Sequence, residues 1–217
     1  MSPLVLFLVY SLALLFVMLI AELAYKVLKL DSEWTRKIAH IGSGIVALSY
    51  PLFIQNHLVV LALTISFTII LYISKKFGLF SSIFSVDRHS YGELFFVWSS
   101  WLLFWLYQYT GNPLYFYLPF GVVVFADPAA ALVGKAFPVK KYRLLGHQKS
   151  IGGSLAFFAV SFILAYFLTI HYLAETNVFL FSLTQALILT LVEAVSHKGW
   201  DNFTIPLVSV ILIYIWL

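Results

Sequence analysis

The run PLVLFLVYSLALLFVMLIAELAY, residues 3–25, holds one charged side chain, Glu22, in a stretch long enough to cross a lipid bilayer. About 20 apolar residues span the hydrocarbon core. Seven further runs of this kind follow, at roughly 37–54, 58–74, 93–109, 114–133, 151–172, 178–196 and 202–217. The chain of 217 residues is 62% hydrophobic and 10% charged, where a soluble domain carries about 25% charge. A soluble fold of this length could not bury so much apolar surface. A membrane protein need not, because lipid is its solvent. The expected fold is an all-α integral membrane protein, a single helical domain over residues 1–217. It is a bundle of about eight transmembrane helices, or seven if the short last run does not span. The first run lacks a cationic leader and is too long for a signal peptide, so it reads as a retained, multi-pass helix. Asn112-Pro113 separates the fourth run from the fifth, and Gly199 can end the seventh.

Charge placement sets an orientation. All 13 Lys and Arg fall in or beside the odd-numbered loops. Lys26, Lys29, Arg36 and Lys37 flank the first, and Lys75, Lys76 and Arg88 the third. Lys135, Lys140, Lys141, Arg143 and Lys149 lie in the fifth, and Lys198 in the seventh. Cations are retained on the cytoplasmic side, so both termini are expected on the other side. His40, His89, His147 and His197 fall near the cationic face, with Asp31, Glu33, Asp87, Glu93, Asp127, Glu193 and Asp201. Only His57, His171 and Glu175 face out, while Glu22 lies inside the first run near its inner end. Chemistry is therefore expected at the cytoplasmic face, in contact with the lipid bilayer. No basic tail or aromatic–basic interleaving is present, so nucleic acid is not an expected partner. Cysteine is absent, which excludes disulfides and thiolate metal sites.

Four polar clusters stand out. Asp127 sits in an apolar run, where a carboxylate costs a few kcal/mol and usually has a job. Pro128 suits a first helical position, so Asp127 is expected to cap a new half-helix, with Ala130, Ala131 and Gly134 leaving one side lean. The loop GKAFPVKKYRLLGHQKSIGGS follows, with Lys135, Lys140, Lys141, Arg143 and Lys149 among Gly134, Gly146, Gly152 and Gly153. Ser150 and Ser154 add hydroxyls where the next helix begins. A helix start with free N–H groups beside Lys and Gly suits an anion, and polyphosphate is the obvious one. Contact with lipid headgroups is the alternative, and no GxxxxGK[ST] stretch occurs. In WTRKIAHIGSG, Arg36, His40 and Gly44 share a helical face beside Lys37. These cations answer a bound anion or simply snorkel. In EAVSHKGWDNFTIP, Glu193 ends one helix, and Asp201 or Asn202 can cap the next. Carboxylates from different helices on one side also suit Mg²⁺. Glu93 is a further candidate, for a structural or a catalytic role. A helix face with Gly42, Gly44 and Ala47 offers close packing for a homo-oligomer.

The ordered set resembles the polyprenol kinase family of dolichol, phytol and farnesol kinases. The matching pattern is Arg36-Lys37-x-x-His40, then Asp127-x-x-Ala130-x-x-x-Gly134, a basic loop, and Lys149-Ser150-x-x-Gly153-Ser154. It closes with Glu193 and Gly199-x-Asp201-Asn202-x-x-x-Pro206, so the likeness runs from residue 34 to 206. Gly152 stands where many relatives carry Glu. The resemblance implies a multi-helix membrane enzyme, with a fold like the CTP-dependent phosphatidate cytidylyltransferases. It further implies transfer of the γ-phosphoryl group of a nucleoside triphosphate, CTP, to an isoprenoid alcohol, with Mg²⁺. On this reading Lys135, Lys140, Lys141, Arg143 and Lys149 neutralise the triphosphate, and the backbone of Ser150, Gly152, Gly153 and Ser154 holds it. Asp127 holds Mg²⁺ or takes the alcohol proton, Glu193 and Asp201 are further metal or base candidates, and Arg36, Lys37 and His40 contact phosphate. A phospholipid cytidylyltransferase would attack the α-phosphate with the same parts. A small transporter would show polar groups at the midplane and on both faces.

Overall fold

A computed structural model describes residues 1–84, 91–137, 139–144, 147–172 and 177–217. Asp87, Arg88, His89, Gly146 and Glu175 lie outside the described residues. The helices are α1 (Pro3–Lys26), α2 (Ser32–Leu48), α3 (Tyr50–Phe53), α4 (His57–Phe77), α5 (Ser81–Phe84) and α6 (Gly92–Thr110). They continue with α7 (Leu114–Gly121), α8 (Asp127–Ala136), α9 (Ile151–Tyr172), α10 (Val178–Val195) and α11 (Asp201–Trp216). All eight apolar runs are helical. Among the described residues, five helical stretches are long and apolar enough to cross a membrane: α1, α4, residues 114–136, α9 and α10. α2 opens with polar turns, α6 is rich in Trp and Tyr, and α11 has only 16 residues.

Local chemistry explains the boundaries. α2 starts at Ser32, earlier than the apolar run, because the Asp31 carboxylate accepts the Glu33 N–H at 2.9 Å. That bond and Lys135 at 3.1 Å hold the Asp31 carboxyl below its ordinary pKa. α6 ends on Gly111 at φ +69°, a left-handed position that glycine takes without strain. Asn112 then caps Leu114, as the Asn-Pro break predicts. Gly199, at φ +85°, does not stop α10, which ends at Val195; it shapes the turn into α11.

Asp127 departs from expectation. It does not cap a new helix: its backbone is helical, at φ −63° and ψ −48°, and the chain runs unbroken from residue 114 to 136. The join is a π-helical segment, Val122–Ala126. Pro128 has no N–H and its ring crowds the carbonyl four residues back. The wider π turn makes room for that ring and keeps the helix continuous.

The fifth loop holds a second departure from an all-α chain. Strands β1 (Lys141–Leu144) and β2 (His147–Ser150) pair antiparallel, with Arg143 opposite Gln148. At four residues each they are too short to announce themselves by alternation.

The glycines of this region pack helices. A Cβ on Gly153 would lie 2.8 Å from the Ala130 carbonyl, and one on Gly134 would lie 2.9 Å from Ser150 Oγ. A Cβ on Gly152 would lie 2.9 Å from the Phe137 carbonyl. These contacts let α8 and α9 touch along their backbones. Ser150 is buried, and its hydroxyl accepts the Gly153 N–H at 3.1 Å, capping α9. The small residues of α2 are also used within the chain. Gly42 faces Val17, Gly44 faces Val124, and Ala47 is buried, so that face is not left for a second copy. Elsewhere Glu22 of α1 accepts the Ser82 N–H at 2.9 Å, and Thr35 donates to the Ser82 carbonyl at 3.1 Å. Together these bonds hold α5 against α1 and α2.

Gly153→Ala is expected to destabilise the protein by about 1–3 kcal/mol through overpacking. The effect will show as a lower unfolding temperature in detergent. An unchanged temperature would mean that α9 can shift off α8 at no cost.

Candidate active site

Helices α1, α2, α4 and α6, with residue 127 and the turn before α11, enclose a cavity of about 790 Å³. One end is apolar, lined by Leu14, Met18, Ala47, Tyr50, Leu63 and Phe67. The other end is charged, lined by Arg36, Lys37, His40, Glu93, Asp127, Lys149, Lys198 and Asp201. A deep apolar chamber under a mouth of converging polar groups is the usual form of a small-molecule site.

Two ion pairs organise the mouth. Lys37 of α2 is buried and donates to Asp127 Oδ2 at 2.7 Å. Lys149, at the end of the hairpin, donates to both the carboxylate and the carbonyl of Glu193 in α10. His40 lies one turn beyond Lys37 and bonds the Val123 carbonyl at 3.0 Å through Nε2. A carbonyl only accepts, so this bond places the ring proton on Nε2. The π segment explains the contact: Pro128, five residues after Val123, offers no N–H to that carbonyl. Gly44, seated against Val124, brings α2 close enough for both contacts.

The structure gathers some of the candidates and separates others. Arg36, Lys37, His40, Glu93, Asp127, Lys149, Asp201 and Asn202 all line the cavity. Glu193 joins through Lys149. Lys135 does not line it and pairs with Asp31 at 3.1 Å on the outer surface. Lys140, Lys141 and Arg143 are exposed on the hairpin, outside the cavity wall. Ser154 meets Tyr142 at 2.7 Å, while Ser150, Gly152 and Gly153 serve the α8–α9 contact. Glu93 pairs with Lys75 at 3.6 Å. Arg36 reaches Glu33 at 3.5 Å.

Gln148, His197 and Lys198 also line the mouth and were not singled out as site residues from the sequence. The left-handed backbone of Lys198 and the Tyr91 N–H to Lys198 carbonyl bond, at 3.1 Å, fix that turn beside α6. The Ser-His-Lys-Gly order after an apolar helix is a turn signal that could have found it. Nothing in the sequence marks the apolar chamber, whose lining reads as ordinary core.

The donor set can be tested against Mg²⁺. Among the described residues, no three His, Asp or Glu side chains stand together as a metal cage. Asp127 and Glu193 are each turned to a lysine. Asp201 has no lysine partner among the described residues, and Asn202 Oδ1 is buried without a hydrogen-bond partner. These oxygens fit a Mg²⁺ held mainly by substrate phosphates, which is this ion's habit. They do not fit one held by protein alone.

Lys149→Met would strand the Glu193 carboxylate and is expected to cost about 3–5 kcal/mol. Adding Glu193→Gln should recover much of that loss, read by unfolding temperature. Equal temperatures for the single and double variants would show that the two groups do not depend on each other.

Comparison with known proteins finds a relative over most of the chain. The chain is 32% identical over 207 residues to the phytol kinase of Synechocystis sp. (strain ATCC 27184 / PCC 6803 / Kazusa), covering 93% of this chain and 88% of that protein. No family model matches the chain. No solved structure matches it. This likeness over nearly the whole length shows the family: the chain belongs to the polyprenol kinase family.

Proposed function

We propose that the protein transfers the terminal phosphoryl group of a nucleoside triphosphate to the hydroxyl of an isoprenoid alcohol. The observation that carries this reading is one cavity with an apolar chamber at one end and the Lys37–Asp127 pair at the other. A long-chain alcohol dissolves in the bilayer with its hydroxyl at the interface, and a nucleotide arrives from water. The chamber suits the tail and the mouth suits the meeting of hydroxyl and phosphate. The likeness to phytol kinase supports the substrate class. CTP is the donor that the family resemblance implies.

In the proposed reaction the alcohol oxygen attacks the γ-phosphorus and the bond to the nucleoside diphosphate breaks. The hydroxyl proton passes to Asp127, and the diphosphate leaves into water. Phosphoryl transfer needs mainly positioning and charge neutralisation. Lys37 orients the Asp127 carboxylate. Arg36, Lys149 and Lys198 set positive charge around the phosphates, and His40 braces the π segment that carries Asp127. Lys140, Lys141 and Arg143 draw the nucleotide toward the mouth from the exposed hairpin. Asp201 and the Asn202 amide oxygen would hold Mg²⁺, which supplies further charge neutralisation on the phosphates. The charged end faces the cytoplasm in this reading, because the cations gather there. α2 with α3, α6 and α11 complete eight crossings beside the five helical stretches that meet the length and apolarity criteria.

Asp127→Asn is expected to lower kcat by at least about 10²-fold, the typical loss for a general base, with insertion kept and the unfolding temperature lowered because the buried Lys37 loses its charged partner. The assay supplies CTP, ATP, GTP or UTP with phytol, farnesol, geranylgeraniol or dolichol and follows the nucleotide product. Release of the nucleoside diphosphate marks a kinase. Pyrophosphate release would replace this reading with nucleotidyl transfer, and near-normal turnover by Asp127→Asn would remove the base.

A further inference from the structure

We propose that Tyr50 closes the inner end of the cavity and sets the longest alcohol tail the enzyme accepts. The proposal rests on the alcohol kinase reading for the identity of the tail. The lining stops at one depth on four helices. It reaches Leu14 on α1, Leu63 on α4 and Ser100 on α6, and it ends at Tyr50 just past α2. One turn deeper stand Tyr10, Val60 and Phe104, all buried and none of them lining. Tyr50 is 3% exposed, with its ring edge-on to Tyr10 at 5.0 Å and to Phe104 at 6.0 Å. Tyr10 is itself tied to Ser49 Oγ at 2.9 Å. The Tyr50 ring therefore has solid packing behind it and cannot swing away to admit a longer chain.

The depth can be converted to a tail length. Lys37, His40, Ser43, Ala47 and Tyr50 follow one face of α2 into α3, from the charged mouth to the floor. At 1.5 Å per residue that face is about 20 Å long. An extended carbon chain advances roughly 1.3 Å per bond, given bonds near 1.5 Å. About 15 bonds fit, the main chain of an alcohol of about four isoprene units. A longer alcohol must leave its end outside the chamber or bend against Tyr50.

The experiment uses the full chain in detergent and a fluorescent isoprenoid displaced by geraniol, farnesol, geranylgeraniol or geranylfarnesol. Phosphorylation is measured on the same preparations. Affinity of the unaltered protein should rise to geranylgeraniol and fall at geranylfarnesol. Tyr50→Ala should improve the geranylfarnesol to geranylgeraniol affinity ratio by about tenfold, the factor expected when a few more carbons are buried. Ser100→Leu should move the optimum down to farnesol, and Tyr50→Phe should leave it in place. Ser100→Leu also carries the test if Tyr50→Ala does not fold. A merely structural role would weaken all four alcohols alike. Unchanged length profiles in the variants that fold overturn the proposal. Shifted profiles without phosphorylation from any nucleotide leave the floor standing and remove the kinase reading. Phosphorylation with unshifted profiles does the reverse.

Discussion

The contact between Lys37 and Asp127 is the constraint around which this bundle is arranged. Either charge alone inside a helix bundle would cost several kcal/mol. Together, at 2.7 Å, they are a polar joint between α2 and the helix that runs from residue 114 to 136. Making that joint requires close approach, and Gly44 against Val124 provides it. It also requires that Asp127 point toward α2, and the π segment sets that direction. His40, bonded to Val123, holds the same two helices one turn further in. The apolar chamber then opens on the far side of this joint, where α1, α4 and α6 complete the wall.

A second joint, Lys149 with Glu193, fixes the hairpin to α10 across the mouth. The hairpin owes its place to backbone contact. Gly153 and Gly134 let α8 and α9 meet so closely that the strands between them have little freedom in where they lie. The glycines and Ser150 make this contact, and through it they set where the hairpin's cations lie.

Much of this was legible in the sequence. Every apolar run is a helix because bilayer-length apolar stretches leave the backbone no other way to satisfy itself. Arg36, Lys37, His40, Asp127, Lys149, Asp201 and Asn202, which line one cavity, stood out as candidates because polar groups in oily surroundings are expensive and seldom idle. Their pairing was not identifiable. Which lysine meets which carboxylate depends on helix rotation, and spacing alone does not give it. Pro128 suggested a break, and the chain answered with a wider turn. The hairpin escaped notice because four-residue strands carry too little pattern. The chamber escaped notice because Leu14, Met18 and Leu63 look the same lining a void as filling one.

The π segment makes residue 127 a matter of helical phase. A regular α-helix turns roughly 100° per residue, and the extra residue absorbed between Val122 and Ala126 rotates everything after it by about that amount. A chain that wound the same residues as a regular α-helix would still be greasy, helical and able to insert. Its acid would face a different neighbour, and Lys37 would be left with an empty space where its partner had been. The winding of this short stretch therefore decides whether the Lys37–Asp127 joint forms, and no hydropathy plot would register the difference.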